Sequence, residues 1–381
     1  TTGVPFLLIA SDARAASMGD MGVATSVDIY SQFWNPSKYV FSETKSGFGL
    51  SYTPYLSKLV NDISLGNLTY FNRINERSAF AVSLRYFSLG EIEIVQDEFS
   101  EALIEQPNEM TMDISYSLRL ADQFSMGVAL RYLRSDLKIG AVVPDAKAAS
   151  SYAVDISAYF QSEEQNYGDI DGRWRGGMII QNLGPKIKYD ESGDETFLPT
   201  NLRLGGGFDF LLDQYNKVSL TAEITKLLVP TPPIMGREYN FTDINGNGIY
   251  DEGIDELGEL TSSDYVIYQG QDNQDVNFLS GVFQSFSDAP GGFSEELKEF
   301  TWALGAEYVY DDSFALRAGY FNESEDKGAR KFLAFGAGFK FSGTKIDLSY
   351  LFSASKVPSP LENTLRFSLT FDFGSNTYLE Y

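Results

Sequence analysis

From about residue 46 onward, apolar residues alternate one by one with small or polar ones, the period of a strand whose two faces meet different surroundings. Between residues 124 and 132 one face carries Phe124, Met126, Val128, Leu130 and Tyr132, and the other Ser125, Gly127, Ala129 and Arg131. The same pattern returns at 80–86, 110–118, 333–341 and 365–373. Fourteen segments follow it: 46–56, 62–74, 77–88, 109–120, 123–136, 150–161, 172–183, 199–212, 216–229, 299–310, 313–322, 331–342, 344–354 and 363–373. Each is close to the roughly 9 to 11 residues that cross a bilayer at a tilt, and longer than the five or six usual in soluble strands.

A soluble β-sandwich also alternates, with its apolar face inward. Three features favour a transmembrane barrel instead. Connections after even-numbered segments are mostly tight, as at Asn75-Glu76, Ala121-Asp122, Asp311-Asp312 and Ser342-Gly343, whereas those after odd-numbered ones include 89–108, 137–149, 184–198 and 230–298. That asymmetry matches periplasmic turns and extracellular loops. Tyrosines stand near the ends of apolar faces, at Tyr86, Tyr132, Tyr310, Tyr320 and Tyr350, where an interfacial girdle places a ring with one polar tip. The opposite face mixes Gly, Ala and Ser with Arg and Asp, which suits a crowded or wet lumen. The expected fold is therefore all-β, a 14-stranded antiparallel transmembrane barrel over 46–381. With an even strand count both chain ends fall on the short-turn, periplasmic side, and closure pairs every backbone donor.

Composition removes most chemistry. The 381 residues contain no cysteine and no histidine, so disulfides, thiolate nucleophiles, imidazole bases and the usual zinc sites are out, and the chain reads as a non-enzyme. A net charge of −24 argues against nucleic acid. The 43% hydrophobic and 14% aromatic content is too rich for disorder. The longest apolar run, 5–10, is far short of the roughly 18 residues of a membrane helix. Thr1-Thr2-Gly3 shows no leader pattern, as in a cytosolic protein or one whose signal peptide has been removed, and the barrel pattern favours removal.

Residues 1–45 do not alternate. They read as a lumenal plug or as a flexible tail. In the first case Ser11 or Asp12 caps a short helix through Ser17, Ser26 or Asp28 caps another, and Pro36 ends it. The order Ala-Arg-Ala-Ala-Ser-Met-Gly-Asp-Met-Gly-Val-Ala-Thr over 13–25, then Asp28, then Trp34-Asn35-Pro36-Ser37, resembles the N-terminal hatch signature of the FadL-like outer-membrane barrels. Residues 4–14 most resemble the PorV family within them. The likeness is close over 4–40, and the strand layout extends it over nearly all the rest. It implies a hatch over 1–45, with Arg14, Met18, Trp34, Asn35 and Pro36 among its signature residues, inside a barrel in the outer membrane and its lipid. It further implies a component of type IX protein secretion that binds the C-terminal signal domains of cargo, docks beside the giant translocon barrel SprA (Sov) and serves the cell-surface attachment complex. In transporters of the wider family the hatch gates a lateral path for hydrophobic ligands, so the alternative is uptake of hydrophobic small molecules. A carrier needs a continuous apolar pocket and a wall opening; a docking protein can be sealed.

The loop 230–298 carries 13 acidic residues against Arg237 and Lys298, and 89–108 carries six with no basic residue. Asp243, Asn245, Asn247, Ile249 and Asp251 follow the alternate-oxygen spacing of a Ca²⁺ loop, with Gly248 near the turn. Ile254 stands where the bidentate carboxylate belongs, so Asp255 or Glu252 would substitute. An Asn-Gly turn in a solvated loop fits equally. No other cofactor is expected. Val276, Leu279, Phe283 and Phe286, spaced 3, 4 and 3, would share one side of a helix that docks a partner or packs its own loop onto the barrel rim. Asp113 with Arg119 or Arg131 suggests a lumenal ion network, and Gly205-Gly206-Gly207 a bend or close approach to the hatch.

Overall fold

The computed structural model describes every residue except 1, 57–61, 96–101, 138–146, 169, 190–194, 243, 245–253, 255, 273–275, 356–361, 363 and 375–381. Fourteen of the described strands close a barrel: β1 (Ser46–Pro54), β2 (Ile63–Arg73), β3 (Ser78–Leu89), β4 (Asn108–Ala121), β5 (Phe124–Asp136), β6 (Ala149–Gln161), β7 (Asp171–Leu183), β8 (Asn201–Leu211), β9 (Asn216–Leu227), β10 (Phe300–Tyr310), β11 (Phe314–Asn322), β12 (Lys331–Phe341), β13 (Thr344–Ser353) and β14 (Leu365–Phe373). Every neighbouring pair is antiparallel, and β1 returns to β14 from Ser46↔Phe373 to Tyr52↔Phe367.

The alternation is what builds this wall. Leu130 is 57% exposed, while Ala129 and Arg131 beside it are buried. The outward face repeats such exposure at Ile114, Leu220, Leu304, Phe335 and Phe367, a belt that is stable against acyl chains and not against water. The tight turns have sequence causes. Asp311 and Asp312 take φ of 50° and 46°, and Ser342 and Gly343 take 47° and 84°, the left-handed pairs that join two twisted strands. Between β8 and β9, the Asp213 carboxylate accepts from the Tyr215 amide at 2.7 Å and the Asn216 amide at 2.8 Å.

Inside lie the residues ahead of β1. A 3₁₀ turn, Pro5–Leu8, is followed by a helix, Ala13–Ser17, whose N-terminus is capped by Asp12 accepting from Ala15 N at 2.8 Å. A second helix, Ser31–Trp34, runs into a 3₁₀ segment, Pro36–Phe41. The cap expected there from Ser26 or Asp28 is not made: Tyr30 is the N-cap, and Ser31 Oγ instead donates to Asp28 at 3.2 Å. The segment crosses the lumen from end to end. Gly3 N donates to Phe197 O at 2.9 Å, in the long connection between β7 and β8, and Lys45 N bonds Gly374 O at the short-turn end. The expectation that both chain ends lie on the short-turn side is therefore corrected. Strand parity places Ser46 and Phe373 there, but a segment that traverses the lumen carries residues 2–9 to the opposite end.

The chain divides into two compact units, Thr1–Leu227 with Lys298–Tyr381, and Leu228–Leu297. The second contains a hairpin, Ile234–Thr242 with Glu256–Gln269, the helix Phe278–Gln284 and all but the last residue of the helix Phe293–Lys298. Its strands lack strict alternation, which is why the sequence reads as loop. Among the described residues no helix is long and apolar enough to cross a membrane.

Candidate functional site: the hatch and lumen wall

Two kinds of wall residue receive the hatch. The first is glycine. A Cβ on Gly319 would run into the backbone of Met18 and Gly19, one on Gly177 into the Val23 carbonyl, and one on Gly127 would stand 3.0 Å from Ser37 N. Of the expected Gly205-Gly206-Gly207, Gly205 does face the hatch, at Val23 and Ala24. Strand glycines usually weaken a sheet; here they let one backbone approach another.

The second kind is charge. Arg14 donates through Nε to Glu307 Oε2 at 3.0 Å, through Nη2 to Glu307 Oε1 at 2.8 Å, and through Nη1 to Asp28 at 2.8 Å. Glu307 also takes Arg317, which reaches Asp347 at 2.7 Å, and Lys345 lies 3.3 Å from the same carboxylate. Three cations thus face three carboxylates, so the buried cluster is neutral as a whole, the condition under which buried ions are tolerated. Across the lumen, Glu223 accepts from two successive hatch amides, Gly22 N at 2.9 Å and Val23 N at 3.0 Å, and from Arg203 at 3.0 Å. Arg366 pairs with Asp20 at 2.9 Å, and Arg175 holds both Asp209 and the Ala24 carbonyl.

The hatch signature residues are all buried. Trp34 donates to Asp12 at 2.6 Å and lies under Arg203, 5.0 Å from the ring centre. Asn35 donates to Val23 O at 2.9 Å and to Ala158 O at 3.0 Å, so one amide joins two parts of the hatch to β6. Pro36 O accepts from Ser117 at 2.8 Å, and Met18 fills the space left by Gly305 and Gly319. Asp113 pairs with Arg131, which also holds Asp155 at 2.9 Å. Arg119 does not join them; it bonds the Asp122 carbonyl and covers Phe41. Glu223, Glu307, Arg203 and Tyr30 carry the hatch without having been singled out in the sequence. Their signal was charge on the small-residue face, but their partners lie far away along the chain.

The lumen's loop end is apolar. Val4, Phe6 and Leu7 pack with Leu65, Phe87, Leu133, Ile187 and Leu198, and Arg85 donates to Phe6 O at 3.1 Å and Ile9 O at 2.9 Å. Nearby in the wall rim, Lys298 donates to Asp326 at 2.7 Å and holds that carboxyl below the usual range. At the short-turn end, the Tyr215 amide and the Asn216 side chain do the same for Asp213.

Within Leu228–Leu297, the four stripe residues do not share one helix. Leu279 and Phe283 lie on Phe278–Gln284, 50% and 76% exposed; Val276 precedes it and Phe286, 47% exposed, follows it. Phe293, 77% exposed, extends the apolar surface on the next helix. Asp243, Asn245, Asn247, Ile249, Asp251 and Asp255 lie outside the described residues. Among the described residues no group of three acidic side chains could hold a metal ion.

Residues 1–234 match the model of the family described as type IX secretion system protein PorV. No curated protein matches the chain in sequence. Solved structures similar to it include the Ralstonia pickettii toluene transporter TbuX, at 11% identity over 97% of this chain and 100% of that one, with a TM-score of 0.49. The CymD monoaromatic hydrocarbon channel is similar at 12% identity over 96% and 98%, with a TM-score of 0.47. A Pseudomonas aeruginosa FadL homologue is similar at 12% identity over 95% and 98%, with a TM-score of 0.46.

Proposed function

The chain belongs to the PorV family of type IX secretion system proteins, and on that basis we propose that it is an outer-membrane partner of protein export that works through its outer surfaces while its lumen stays closed. In this reading it docks with the translocon barrel SprA, binds the C-terminal signal domains of cargo and passes them to the surface attachment complex. The observation that carries the closed-lumen part is the hatch. It fills the bore from the Gly3–Phe197 contact to Lys45, tied to β9 by Glu223, to β10 by Glu307 and to β14 by Arg366.

A carrier of hydrophobic molecules would need a path through the bore or a gap in the wall. Among the described residues the neighbouring strands stay paired around the wall, with register shifts only at Ile180/Leu183 and Arg119/Ala121, which supports a wall without a gap. Docking then falls to exposed apolar surface on an acidic background, and Leu279, Phe283 and Phe286 supply it, with Val276 beside them. The test is deletion of the gene in its own bacterium. Loss of type IX cargo secretion and attachment is expected; normal secretion with abolished growth on a hydrophobic nutrient would establish the carrier instead.

A further inference from the structure

Thirteen of the fourteen strand pairings in the barrel join sequence neighbours, and where the connection is a tight turn it limits the register they can adopt. The pairing of β1 with β14 has no such connection. It closes over about 300 residues, the kind of non-local contact that forms late and with least guidance. Alternation guards against a one-residue slip, which would turn every side chain to the wrong face. A two-residue slip keeps every face correct, so the pattern of the two strands cannot forbid it.

The hatch reads this seam row by row. Leu50 and Leu369 are directly opposed, and the Tyr30 hydroxyl stands between them, 2.8 Å from Leu50 O and 3.0 Å from Leu369 O. In the next row Ser51 opposes Ser368; Ser51 donates to Ser11 O, and Ser368 accepts from Ala13 N at 2.8 Å. In the row on the other side Gly49 opposes Thr370, and a Cβ on Gly49 would come within 2.9 Å of Ile29. Tyr30 bonds main-chain carbonyls, which an even slip replaces in kind, so the register is read by side chains: a two-residue slip would separate the two serines that share one stretch of hatch and would set Gly47 or Ser51 where Gly49 leaves room for Ile29.

We propose that the hatch is the register template of barrel closure: it docks on β14 first, and β1 then pairs with β14 over it in the register that keeps Ser368 at Ala13, Ser51 at Ser11 and Gly49 against Ile29. The hatch is on this account a part of the folding pathway as well as a plug.

The full-length chain, which has no native cysteine, allows a direct test by refolding from urea into micelles with oxidative quenching at successive times. One introduced pair, Ala13→Cys with Ser368→Cys, reports hatch docking. A second, the outward-facing Tyr52→Cys with Phe367→Cys, reports the native seam, and Tyr52→Cys with Leu365→Cys reports a two-residue slip. The hatch link should form before or together with the native seam link. In the seam reporters, Ser51→Ala should slow the native link roughly three- to tenfold, the scale of one hydrogen bond's net contribution, or raise the slipped link at its expense. A seam link that is complete before the hatch link appears would overturn the proposal. So would a Ser51→Ala chain with unchanged seam rate and register.

Discussion

Arg14 of the hatch and Glu307 of β10 make a two-point ion pair across the lumen, at 3.0 and 2.8 Å, although 293 residues separate them. Arg14 also bonds Asp28, so one guanidinium ties the two halves of the hatch to the wall. The pair is buried, with both side chains 5% exposed, and its Coulomb energy is little screened by salt.

Replacing Arg14 by Met should leave Glu307 and Asp28 short of a partner and destabilise the folded barrel by about 3 kcal/mol, the usual effect of breaking a buried pair from one side. The temperature at which the compact barrel band is lost on a denaturing gel should fall. Glu307→Gln should fall less, because it removes a charge that Arg14 and Arg317 share while keeping an acceptor.

Gly319→Val places methyl groups where Met18 and Gly19 pass, and overpacking of this kind costs about 1–3 kcal/mol. The strand itself should tolerate valine well, since β-branched residues suit strands. The loss should therefore appear as protease access to the hatch with the barrel intact. A hatch as protected as in the native chain would show that the glycine is not needed for its approach.

Strand limits were legible almost to the residue. Segment 331–342 is β12 at Lys331–Phe341, and 123–136 is β5 at Phe124–Asp136, because alternation stops where the wall stops. Asp12 could be read as a cap from local spacing alone. Glu223 could be placed on the lumen face but not matched to Gly22 and Val23, since nothing local encodes a bond over 201 residues. The hairpin Ile234–Thr242 with Glu256–Gln269 is not legible because its sequence has no strict alternation and its pairing shifts register three times.

The Asp213 carboxyl sits below its ordinary value because the Tyr215 amide and Asn216 bond its charged form. A depressed carboxyl contributes its stability above the ordinary value of 3.8 and loses it as pH falls through the lower folded value. Amide protection at Tyr215 and Asn216, corrected for intrinsic exchange, should hold near neutral pH and decline in acid. Asp213→Ala should abolish that pH dependence.

For the 243–255 segment we propose Ca²⁺ held by Asp243, Asn245, Asn247, the Ile249 carbonyl, Asp251 and Asp255. Calcium should then slow proteolysis of 228–297 and chelator should restore it. Equal cleavage in both conditions would leave the segment as a solvated turn.

Phe283→Ser with Phe286→Ser removes two exposed rings. Co-purification of the translocon from solubilised outer membranes should drop at least several-fold, as truncation of aromatic anchors does at interfaces. Complex recovered in full would move docking to another surface.

We propose a barrel that serves secretion with its bore permanently closed. The direct measurement is type IX cargo release and surface attachment in a deletion strain carrying the Ala13→Cys, Ser368→Cys chain, with hatch and wall locked by oxidation. Secretion equal to that of the oxidised wild-type strain is predicted. A return of the deletion phenotype in the oxidised state, reversed by reductant, would mean that the hatch must move and would contradict the account.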